Sequence, residues 1–363
     1  MSKIVIDARI INSSTGTYVE RLLHYLQQVD QVNNYIVLVP TKDRLFWQPT
    51  AKNFVVKTVD FANYSFGEQL GFKKFLDQLK PDLVHFCMPQ QPIFYKGAKV
   101  TTFHDLTLIK TYNSDKNWLV YHLKQLVGRF VFKSVAHSSN QIITPTEYTK
   151  NDLINFAHIP ADKITVTYES ADVVSTALAP YKQPFKRFIL YVGQQSDYKN
   201  IRRLGDAHQN LLKKYPDLGL ILVGRKNASV LQNEAYFNSK NYKNILFTGF
   251  IENTQRDWLF KEAAAYVFPS LMEGFGLPGL EAMGYGAPVI SSNATCLPEV
   301  YGEAAHYFDP YNVADIERAI DDVLSNESLR GDLIQKGYEQ LKKYSWRRMA
   351  EQTHRVYMDL LEG

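Results

Sequence analysis

Hydrophobic and polar positions alternate along this chain with two different periods. Short apolar runs bounded by turn residues are typical of buried β-strands, and apolar residues spaced three or four positions apart predict amphipathic helices. In the first half, the runs predict strands at 4–8, 35–40, 55–59, 82–86, 99–103, 141–144 and 163–168. The helical spacing predicts helices at 18–29, 68–79, 117–138 and 146–156. Strands that alternate with helices favour a mostly parallel, doubly wound sheet.

The same alternation starts again after residues 175–186, a segment with two prolines and no clear period that we interpret as a linker. Strands are predicted at 188–192, 219–223, 244–247, 265–269, 289–292 and 305–308. Helices are predicted at 200–214, 229–238, 256–264, 278–285, 313–326, 327–343 and 346–361. The pattern therefore predicts an α/β protein with two doubly wound, Rossmann-like domains, at 1–180 and 181–345.

Composition supports two globular domains. The chain has 363 residues, 45% of them hydrophobic and 21% charged, which leaves room for two domains of roughly 150 residues each. Cys87 and Cys296 are the only cysteines and lie far apart, which argues against a disulfide framework and favours a reducing cytoplasm. Asp7 and Arg9 interrupt the first apolar run, as in a strand rather than a signal peptide. No run approaches the roughly 18 apolar residues of a membrane span, so we expect a cytoplasmic protein.

The formal net charge of +4 is carried by residues 1–180, which hold 19 Lys and Arg against 15 Asp and Glu. Much of the excess lies between 110 and 133, where the only acidic residue is Asp115. The basic residues there are Lys110, Lys116, Lys124, Arg129 and Lys133, interleaved with Leu126, Val127, Phe130 and Val131. A solvated helix face is the simpler interpretation, and the alternative is a surface for an anionic membrane or a lipid-diphosphate acceptor. No nucleic-acid motif accompanies the patch, so we expect no nucleic-acid partner.

Residues 268–292 hold the densest candidate chemistry and are predicted to form a strand, a turn, a helix and a strand. Glu273 lies just past the first strand, and Gly276 leaves the backbone free to approach a ligand. Pro278 opens the helix, and Glu281 follows Glu273 by eight positions in its first turn. The N–H groups of a helix start attract phosphate, and carboxylates suit sugar hydroxyls, so the turn suggests a sugar-nucleotide pocket. Two glutamates at this spacing also arise by chance.

Lys199 and His104 occupy comparable places elsewhere in the chain. Gly193 lies at the end of a predicted strand and Lys199 at a helix start, where a cation is unfavourable unless it faces an anion such as phosphate. His104 follows the strand at 99–103, and open parallel sheets bind their ligands at the carboxyl ends of the strands. The simpler interpretations are a solvated lysine and a structural histidine.

Residues 273–281, Glu-Gly-Phe-Gly-Leu-Pro-Gly-Leu-Glu, resemble the Glu-(seven residues)-Glu signature of the retaining glycosyltransferases of family 4, which have the GT-B fold. The resemblance implies two Rossmann-like domains facing a central cleft, with the helix at 346–363 packed back on the first domain. It implies that Glu281 accepts hydrogen bonds from the donor's ribose and that Glu273 contacts the sugar ring and stabilises its developing positive charge. Backbone N–H groups for the donor would come from Phe275, Gly276 and Leu277.

Residues 193–200 resemble the family's Gly-(five residues)-Lys-Asn segment, whose lysine holds the donor diphosphate. Many members carry an arginine directly after the glycine, where this chain has Gln194. The resemblance therefore implies that Lys199 is the main cation, unless Arg225 or Lys226 helps.

Residues 101–109 resemble the family's Thr-Ile-His-Asp-Leu stretch, whose histidine contacts the transferred sugar, and the corresponding residue here is His104. The loop at 13–18, with Gly16, resembles a loop that packs under the donor diphosphate or near the acceptor. Asp172 lies in a segment similar to the family's Gly-Val-Asp turn but without the glycine, and we interpret it as structural.

The resemblance implies a retaining hexosyltransferase that moves a sugar from a nucleotide-sugar donor to a glycan or lipid-linked glycan. Residues 64–71 and 80–85 resemble bacterial polysaccharide mannosyltransferases, which makes GDP-mannose the first choice of donor. The histidines show no paired spacing and no Asp-x-Asp group lies near a strand end, so we expect no metal and no cofactor. A nucleotide-sugar epimerase of the same fold and a non-catalytic binding subunit are the alternatives. A glycosidase is less favoured because both glutamates lie on one element beside a phosphate-type turn.

Overall fold

The computed structural model describes residues 1–63, 65–111, 118–172 and 177–363, without the side chains of 118–124. The chain folds into two compact units. Unit 1 comprises Met1–Lys110, the described part of Asn117–Glu169, and Ser345–Gly363. Unit 2 comprises Thr111 and the described part of Ser170–Tyr344.

Each unit is built on its own sheet, and the strand pairings are parallel in both. The strands of unit 1 are β1 (Lys3–Asp7), β2 (Asn34–Val39), β3 (Phe54–Thr58), β4 (Leu83–Phe86), β5 (Lys99–Thr102), β6 (Gln141–Thr144) and β7 (Ile164–Val166). Those of unit 2 are β8 (Arg187–Val192), β9 (Leu218–Val223), β10 (Ile245–Gly249), β11 (Ala265–Phe268), β12 (Val289–Ser292) and β13 (Ala305–Phe308). The orders are β3-β2-β1-β4-β5-β6-β7 and β10-β9-β8-β11-β12-β13.

Helices connect these strands. They are α1 (Gly16–Val29), α2 (Lys73–Leu79), α3 (Thr107–Lys110), α4 (Trp118–Ser138), α5 (Glu147–Ala157), α6 (Ile201–Leu211), α7 (Ala228–Ser239), α8 (Asn253–Glu262), α9 (Leu277–Gly284), α10 (Leu297–Tyr301), α11 (Val313–Ser325), α12 (Glu327–Leu341) and α13 (Trp346–Glu362). A π-helix at Gly67–Phe72 runs into α2, and short 3-10 turns lie at Thr41–Asp43, Ala161–Lys163, Asp197–Lys199 and Gly302–Ala304. The α/β architecture with two doubly wound sheets is confirmed.

Every strand and helix that the hydrophobic pattern predicts is present, with small shifts at the ends. The pattern missed α3 and α10 because helices of four and five residues hardly complete one period. It also predicted one continuous helix at 68–79, where the chain forms the π-helix first and then α2. The predicted linker at 175–186 lies partly outside the described residues.

Both sheets reverse their order beside their first strand, and such switch points are where open α/β sheets bind ligands. In unit 2 the chain builds outward from β8 to β9 and β10, then returns to place β11 on the other side of β8. The loops that follow β8 and β11 therefore leave neighbouring strands at the same edge of the sheet. These two loops carry Lys199 and Glu273.

α13 is part of unit 1, where it packs against α1. Its His354 Nε2 lies 3.0 Å from Asp30 Oδ2, and its Tyr357 hydroxyl is hydrogen-bonded to His85 Nδ1. Ser345 caps the helix by accepting from the Arg348 backbone N–H at 3.3 Å. The last helix is thus held to unit 1 by buried polar contacts as well as by packing.

The interleaved basic and apolar residues at 124–133 of α4 lie partly on the surface and partly in the core. The side chains of Leu126, Val127 and Phe130 are exposed, by 66%, 54% and 62%. Val131 is only 8% exposed, because it packs in the core cluster around Phe103, so it does not belong to the exposed surface. Lys116 and Lys124 lie outside the described side chains. Of the helices in the described ranges, none is long and apolar enough to cross a membrane.

Candidate active site

Glycine is required at the end of the turn between β11 and α9 and again in the first turn of α9. Gly276 adopts a φ of +96°, and a Cβ there would lie 2.5 Å from the Tyr301 hydroxyl. A Cβ on Gly279 would lie 2.3 Å from the same ring. The Tyr301 hydroxyl donates to the Gly276 carbonyl oxygen at 2.5 Å, and this hydrogen bond stabilises the turn. The two glycines therefore let the backbone pack closely against Tyr301, and the approach of a ligand to this turn stays a prediction.

Glu273 is fixed at the start of this turn by its backbone. Its N–H donates to Thr295 Oγ1 at 3.2 Å, and its carbonyl oxygen accepts from the Cys296 thiol at 3.3 Å. Its carboxylate Oε1 lies 2.5 Å from Lys199 Nζ. The Lys199 and Glu273 side chains are 14% and 12% exposed. Two residues that the sequence singles out independently thus form one largely buried ion pair.

The loop after β8 holds Lys199 in place. Asn200, at a φ of +61°, donates through its side-chain amide to the carbonyl oxygens of Pro269 (3.1 Å) and Pro310 (2.7 Å). Burial lowers the pKa of Lys199, but Glu273 and two nearby tyrosines outweigh it, and the pKa is raised. The lysine is therefore a charged group at neutral pH. Its Nζ lies 5.0 Å from the Tyr198 ring centroid and 5.6 Å from that of Phe268.

Gly193, Gln194 and Arg225 lie at the ends of the adjacent strands β8 and β9. Gly193 has a φ of +146°, and Gln194 accepts a hydrogen bond from the Tyr191 hydroxyl through its carbonyl oxygen. A Cβ on Gly224 would lie 2.3 Å from the Gly193 carbonyl oxygen, so glycine lets these two loops touch. The Arg225 guanidinium lies 5.2 Å from the Phe250 ring centroid.

Phe275, Gly276 and Leu277 lead into the first turn of α9. Phe275 is 5% exposed and packs edge-on against Tyr344, with ring centroids 5.7 Å apart. Within the described residues, no side chain caps the N-terminus of α9. The first N–H groups of a helix lack acceptors inside the helix and can face an anion. In α9, Pro278 has no N–H and the Gly279 N–H donates to the Gly276 carbonyl oxygen at 3.2 Å, so the candidate donors at this helix start are Phe275, Gly276 and Leu277.

Glu281 lies in α9 beside Arg256 of α8. Burial raises the pKa of Glu281, Asp172 and Asp257 add to the increase, and Arg256 opposes it. Arg256 itself donates to Asp257 Oδ1 at 2.8 Å. A desolvated carboxylate is a strong acceptor for hydroxyl groups. Asp172, interpreted from the sequence as structural, acts on this residue electrostatically.

His104 lies in unit 1, just after β5. Its Nε2 donates to the Cys87 carbonyl oxygen at 3.0 Å, and its Nδ1 lies 3.5 Å from Glu169 Oε1. Gly16 opens α1, and a Cβ there would lie 2.0 Å from the Ile11 carbonyl oxygen, so packing alone requires glycine at this position. A cluster of three or more His, Cys, Asp and Glu that could hold a metal is not found among the residues described.

Comparison with known proteins identifies the family. The model for glycosyltransferase family 4 matches residues 15–174, and that for glycosyl transferases group 1 matches residues 180–340. The O-antigen chain mannosyltransferase B of Escherichia coli is 33% identical over 276 residues, which cover 71% of this chain and 69% of the relative. The chain belongs to the family 4 glycosyltransferases.

A further relative is similar in sequence, and solved structures share the fold. A serotype-specific mannosyltransferase of Escherichia coli is 28% identical over 73% of this chain, but the match spans only 34% of that longer protein. Sucrose-phosphate synthase from Thermosynechococcus elongatus shares the fold over 100% of both chains, with a TM-score of 0.80 and 16% identity. A glycosyltransferase from Rickettsia africae matches 100% of this chain and 99% of its own length, with a TM-score of 0.74 and 16% identity. The GT-B fold is confirmed.

Sequence reasoning missed three residues of this family 4 glycosyltransferase that shape its candidate site. Tyr301 supports Gly276, Asn200 ties the loops after β8 and β11, and Glu169 contacts His104. Asn200 follows Lys199 in the Gly-(five residues)-Lys-Asn segment, so that resemblance could have identified it. Tyr301 and Glu169 act over long sequence distances and carry no local signal.

Proposed function

We propose that this chain transfers a hexose, with mannose the first choice, from a nucleotide sugar to a glycan or lipid-linked glycan in cell-surface polysaccharide synthesis. One observation carries the proposal: the buried ion pair of Lys199 and Glu273 lies at the sheet's switch point, beside the uncapped start of α9. We infer mannose as the sugar, and polysaccharide synthesis as the pathway, from the mannosyltransferases among its relatives. Lys199 would bind the donor diphosphate, together with the first N–H groups of α9.

The other candidate residues take complementary roles in this proposal. Glu281 accepts hydrogen bonds from the ribose hydroxyls, because its carboxylate is desolvated yet faces Arg256. His104 contacts the transferred sugar. Gly193, Gln194 and Arg225 line the diphosphate side of the donor, and Gly16 lies in the loop near the diphosphate or acceptor.

The chemistry follows from the charge that Lys199 and Glu273 can supply. A glycosyl donor develops positive charge on its sugar ring as the bond to the diphosphate breaks. The Glu273 carboxylate stabilises that charge, while Lys199 and the helix start stabilise the leaving diphosphate without a metal. We propose retention of configuration, with the acceptor attacking the face that the diphosphate leaves and the phosphate taking the acceptor's proton. NMR of the product anomer tests retention, and activity that EDTA abolishes and Mg²⁺ restores would refute the metal-free mechanism.

A melting-shift panel with UDP, GDP, dTDP and their sugars tests the donor. We expect GDP and GDP-mannose to stabilise the protein, since a ligand at 100 times its Kd adds about 2.7 kcal/mol. Stabilisation by UDP or dTDP compounds alone would contradict GDP-mannose as the donor. Product analysis with the stabilising sugar then separates transfer from epimerisation, and donor hydrolysis by the purified protein would exclude a non-catalytic subunit. The relatives' names favour transfer over both alternatives.

We further propose that the exposed face of α4 contacts an anionic membrane, from which a lipid-linked acceptor would come. Phe130 and Leu126 are exposed beside Arg129 and Lys133, whose charged groups lie 5.5 and 5.3 Å from the Phe156 ring centroid. Lys110 contributes less, because it is paired with Asp152.

Co-sedimentation with vesicles tests this contact. We expect binding to vesicles that contain anionic lipid and not to neutral vesicles, because basic residues beside apolar ones are attracted to a negatively charged surface. Phe130→Ser should weaken it several-fold. Leu231→Ser is the matched control, because Leu231 is 52% exposed on α7 of unit 2. Equal loss in both variants, or equal binding to neutral vesicles, would contradict the proposal.

A further inference from the structure

His104 and Glu169 form a second pair of a carboxylate and a basic group, within unit 1. Their side chains are 13% and 6% exposed. A carbonyl oxygen only accepts hydrogen bonds, so the contact from His104 Nε2 to the Cys87 carbonyl places a hydrogen on that nitrogen. The other ring nitrogen, Nδ1, faces Glu169 Oε1 at 3.5 Å.

Beside an ionised Glu169, only one protonation state of His104 satisfies both contacts. A neutral ring with its hydrogen on Nε2 would turn the Nδ1 lone pair toward the Glu169 carboxylate. A second hydrogen on Nδ1 converts that repulsion into a charge-assisted contact. Burial lowers the pKa of His104, but Glu169, the Cys87 carbonyl and Asp105 outweigh it, and the pKa is raised.

The remaining titratable groups around the ring are held neutral. Burial raises the pKa of the Tyr18 hydroxyl and of the Cys87 thiol far above neutrality. Burial lowers the pKa of His85 to about 3. Among the residues described, the carboxylates of Glu169 and Asp105 are the charged groups that raise the pKa of His104.

A chain of hydrogen bonds fixes the orientation of the His104 ring. The Tyr18 ring packs edge-on against it, with centroids 4.8 Å apart. The Tyr18 hydroxyl is bonded to Thr102 Oγ1 at 3.0 Å, and Thr102 Oγ1 to His85 Nε2 at 2.8 Å. His104 is therefore held by the Tyr18 ring and by the Cys87 carbonyl at Nε2. The contact that changes with the protonation of the ring is the one made by Nδ1.

We propose that Glu169 is a positioning residue of the transferase, which keeps on His104 Nδ1 the hydrogen that is donated to a hydroxyl of the transferred hexose. This inference rests on the proposed function, in which His104 contacts that sugar. The separation of 3.5 Å is longer than an ordinary N–H···O hydrogen bond, so Glu169 does not fully satisfy the N–H, and a sugar oxygen can accept from it as well. The pair has no net charge, so it supplies a strong donor without adding positive charge beside a sugar that becomes positive itself.

Glu169→Gln tests the inference, because it keeps the size of the side chain and removes its charge. The pKa of His104, followed by NMR in ¹³C-histidine-labelled protein and assigned with His104→Asn, should fall by about one unit or more. Transfer should fall about tenfold at pH 8 and recover as the pH is lowered, because acid restores the proton on the ring that Glu169 no longer stabilises. The effect should lie in kcat rather than in the KM for donor.

Asp105→Asn is the matched control. It removes the other carboxylate near the ring but keeps the oxygen that accepts from the Thr107 backbone N–H at 2.8 Å. The shift in the His104 pKa should be smaller than for Glu169→Gln, since Asp105 contributes less. Glu169→Asp should restore part of the activity at pH 8.

Three results would overturn the proposal. One is an unchanged His104 pKa in Glu169→Gln. Another is a loss of activity in Glu169→Gln that is equal at every pH and accompanied by a lower Tm, because this would indicate a structural role for Glu169. The third is a wild-type protein that uses no nucleotide sugar, which refutes the proposed function and the sugar contact together. The NMR titration distinguishes that failure from a failure of the pair, because it requires no donor.

Discussion

Replacing Glu273 by glutamine should weaken folding and transfer without weakening nucleotide binding. Lys199 and Glu273 are 14% and 12% exposed, so the substitution leaves an ammonium group largely buried without its counter-charge. Breaking a buried pair from one side costs about 3–5 kcal/mol, and the partial exposure places this case at about 3 kcal/mol.

Nucleotide binding should respond in the opposite direction to stability. Lys199 is occupied by Glu273 in the unliganded protein, and the diphosphate must compete with that carboxylate. With glutamine at 273, we expect the affinity for the nucleoside diphosphate to be equal or up to about tenfold higher, or about 1.4 kcal/mol. Transfer should fall by about 10²–10³, because the carboxylate that stabilises the sugar's positive charge is gone.

Urea denaturation followed by fluorescence measures the loss of stability, and calorimetry measures nucleotide affinity. Lys199→Met and the double variant with Glu273→Gln are the controls. The double variant should recover part of the lost stability, because it buries no unpaired charge. A Glu273→Gln protein of unchanged stability, or one that no longer binds the nucleotide, would refute this account of the pair.

Three further predictions concern single residues. Gly276→Ala should destabilise the protein by about 2–4 kcal/mol in thermal melts, because its φ is +96° and the Tyr301 hydroxyl lies close to the new Cβ. Gly331→Ala is the control: no atom lies within 4 Å of its Cβ, so it should be neutral or stabilising. Burial raises the pKa of Asp30, but hydrogen bonds from Tyr35 and its neighbours outweigh it and lower the pKa to about 2. The ionised carboxylate should therefore contribute about 2 kcal/mol to the free energy of unfolding above pH 4, and this contribution should be lost toward pH 2. The Asp30→Asn variant should show no such loss. Glu281→Gln should raise the urea midpoint at pH 7, because a carboxyl whose pKa is raised by burial destabilises the fold once ionised, while the same variant should bind nucleotide more weakly.

The fold could be predicted from the sequence because its parallel strands are nearly continuous apolar runs. In β9 every residue is buried, so the run itself marks the strand and its ends. Elements stabilised by tertiary contacts rather than by their own pattern were missed. α10 is one of these, because five residues cannot show a helical period and its Tyr301 acts on a different loop.

The candidate site was predicted residue by residue, but its pairings were not. Lys199 and Glu273 are 74 positions apart and meet only because β11 returns to the side of β8 after β9 and β10 have been added. Glu169 likewise follows β7 at the edge of its sheet, while His104 follows β5. No local spacing encodes such contacts, since they depend on the order of strands in the finished sheet.

The two pairs differ in how readily their basic groups can leave their carboxylates, and this difference leads to a last prediction. Lys199 has a flexible stem and two aromatic rings within 6 Å of its ammonium, so it can leave Glu273 and stay stabilised. His104 is anchored by the Cys87 carbonyl at 3.0 Å and keeps its place beside Glu169. A nucleoside diphosphate alone should therefore shift the Lys199 side-chain NMR signal and leave the His104 ring signals unchanged, whereas the sugar-bearing donor should shift both. Movement of the His104 signals with the nucleotide alone would mean that this histidine responds to the diphosphate and not to the sugar.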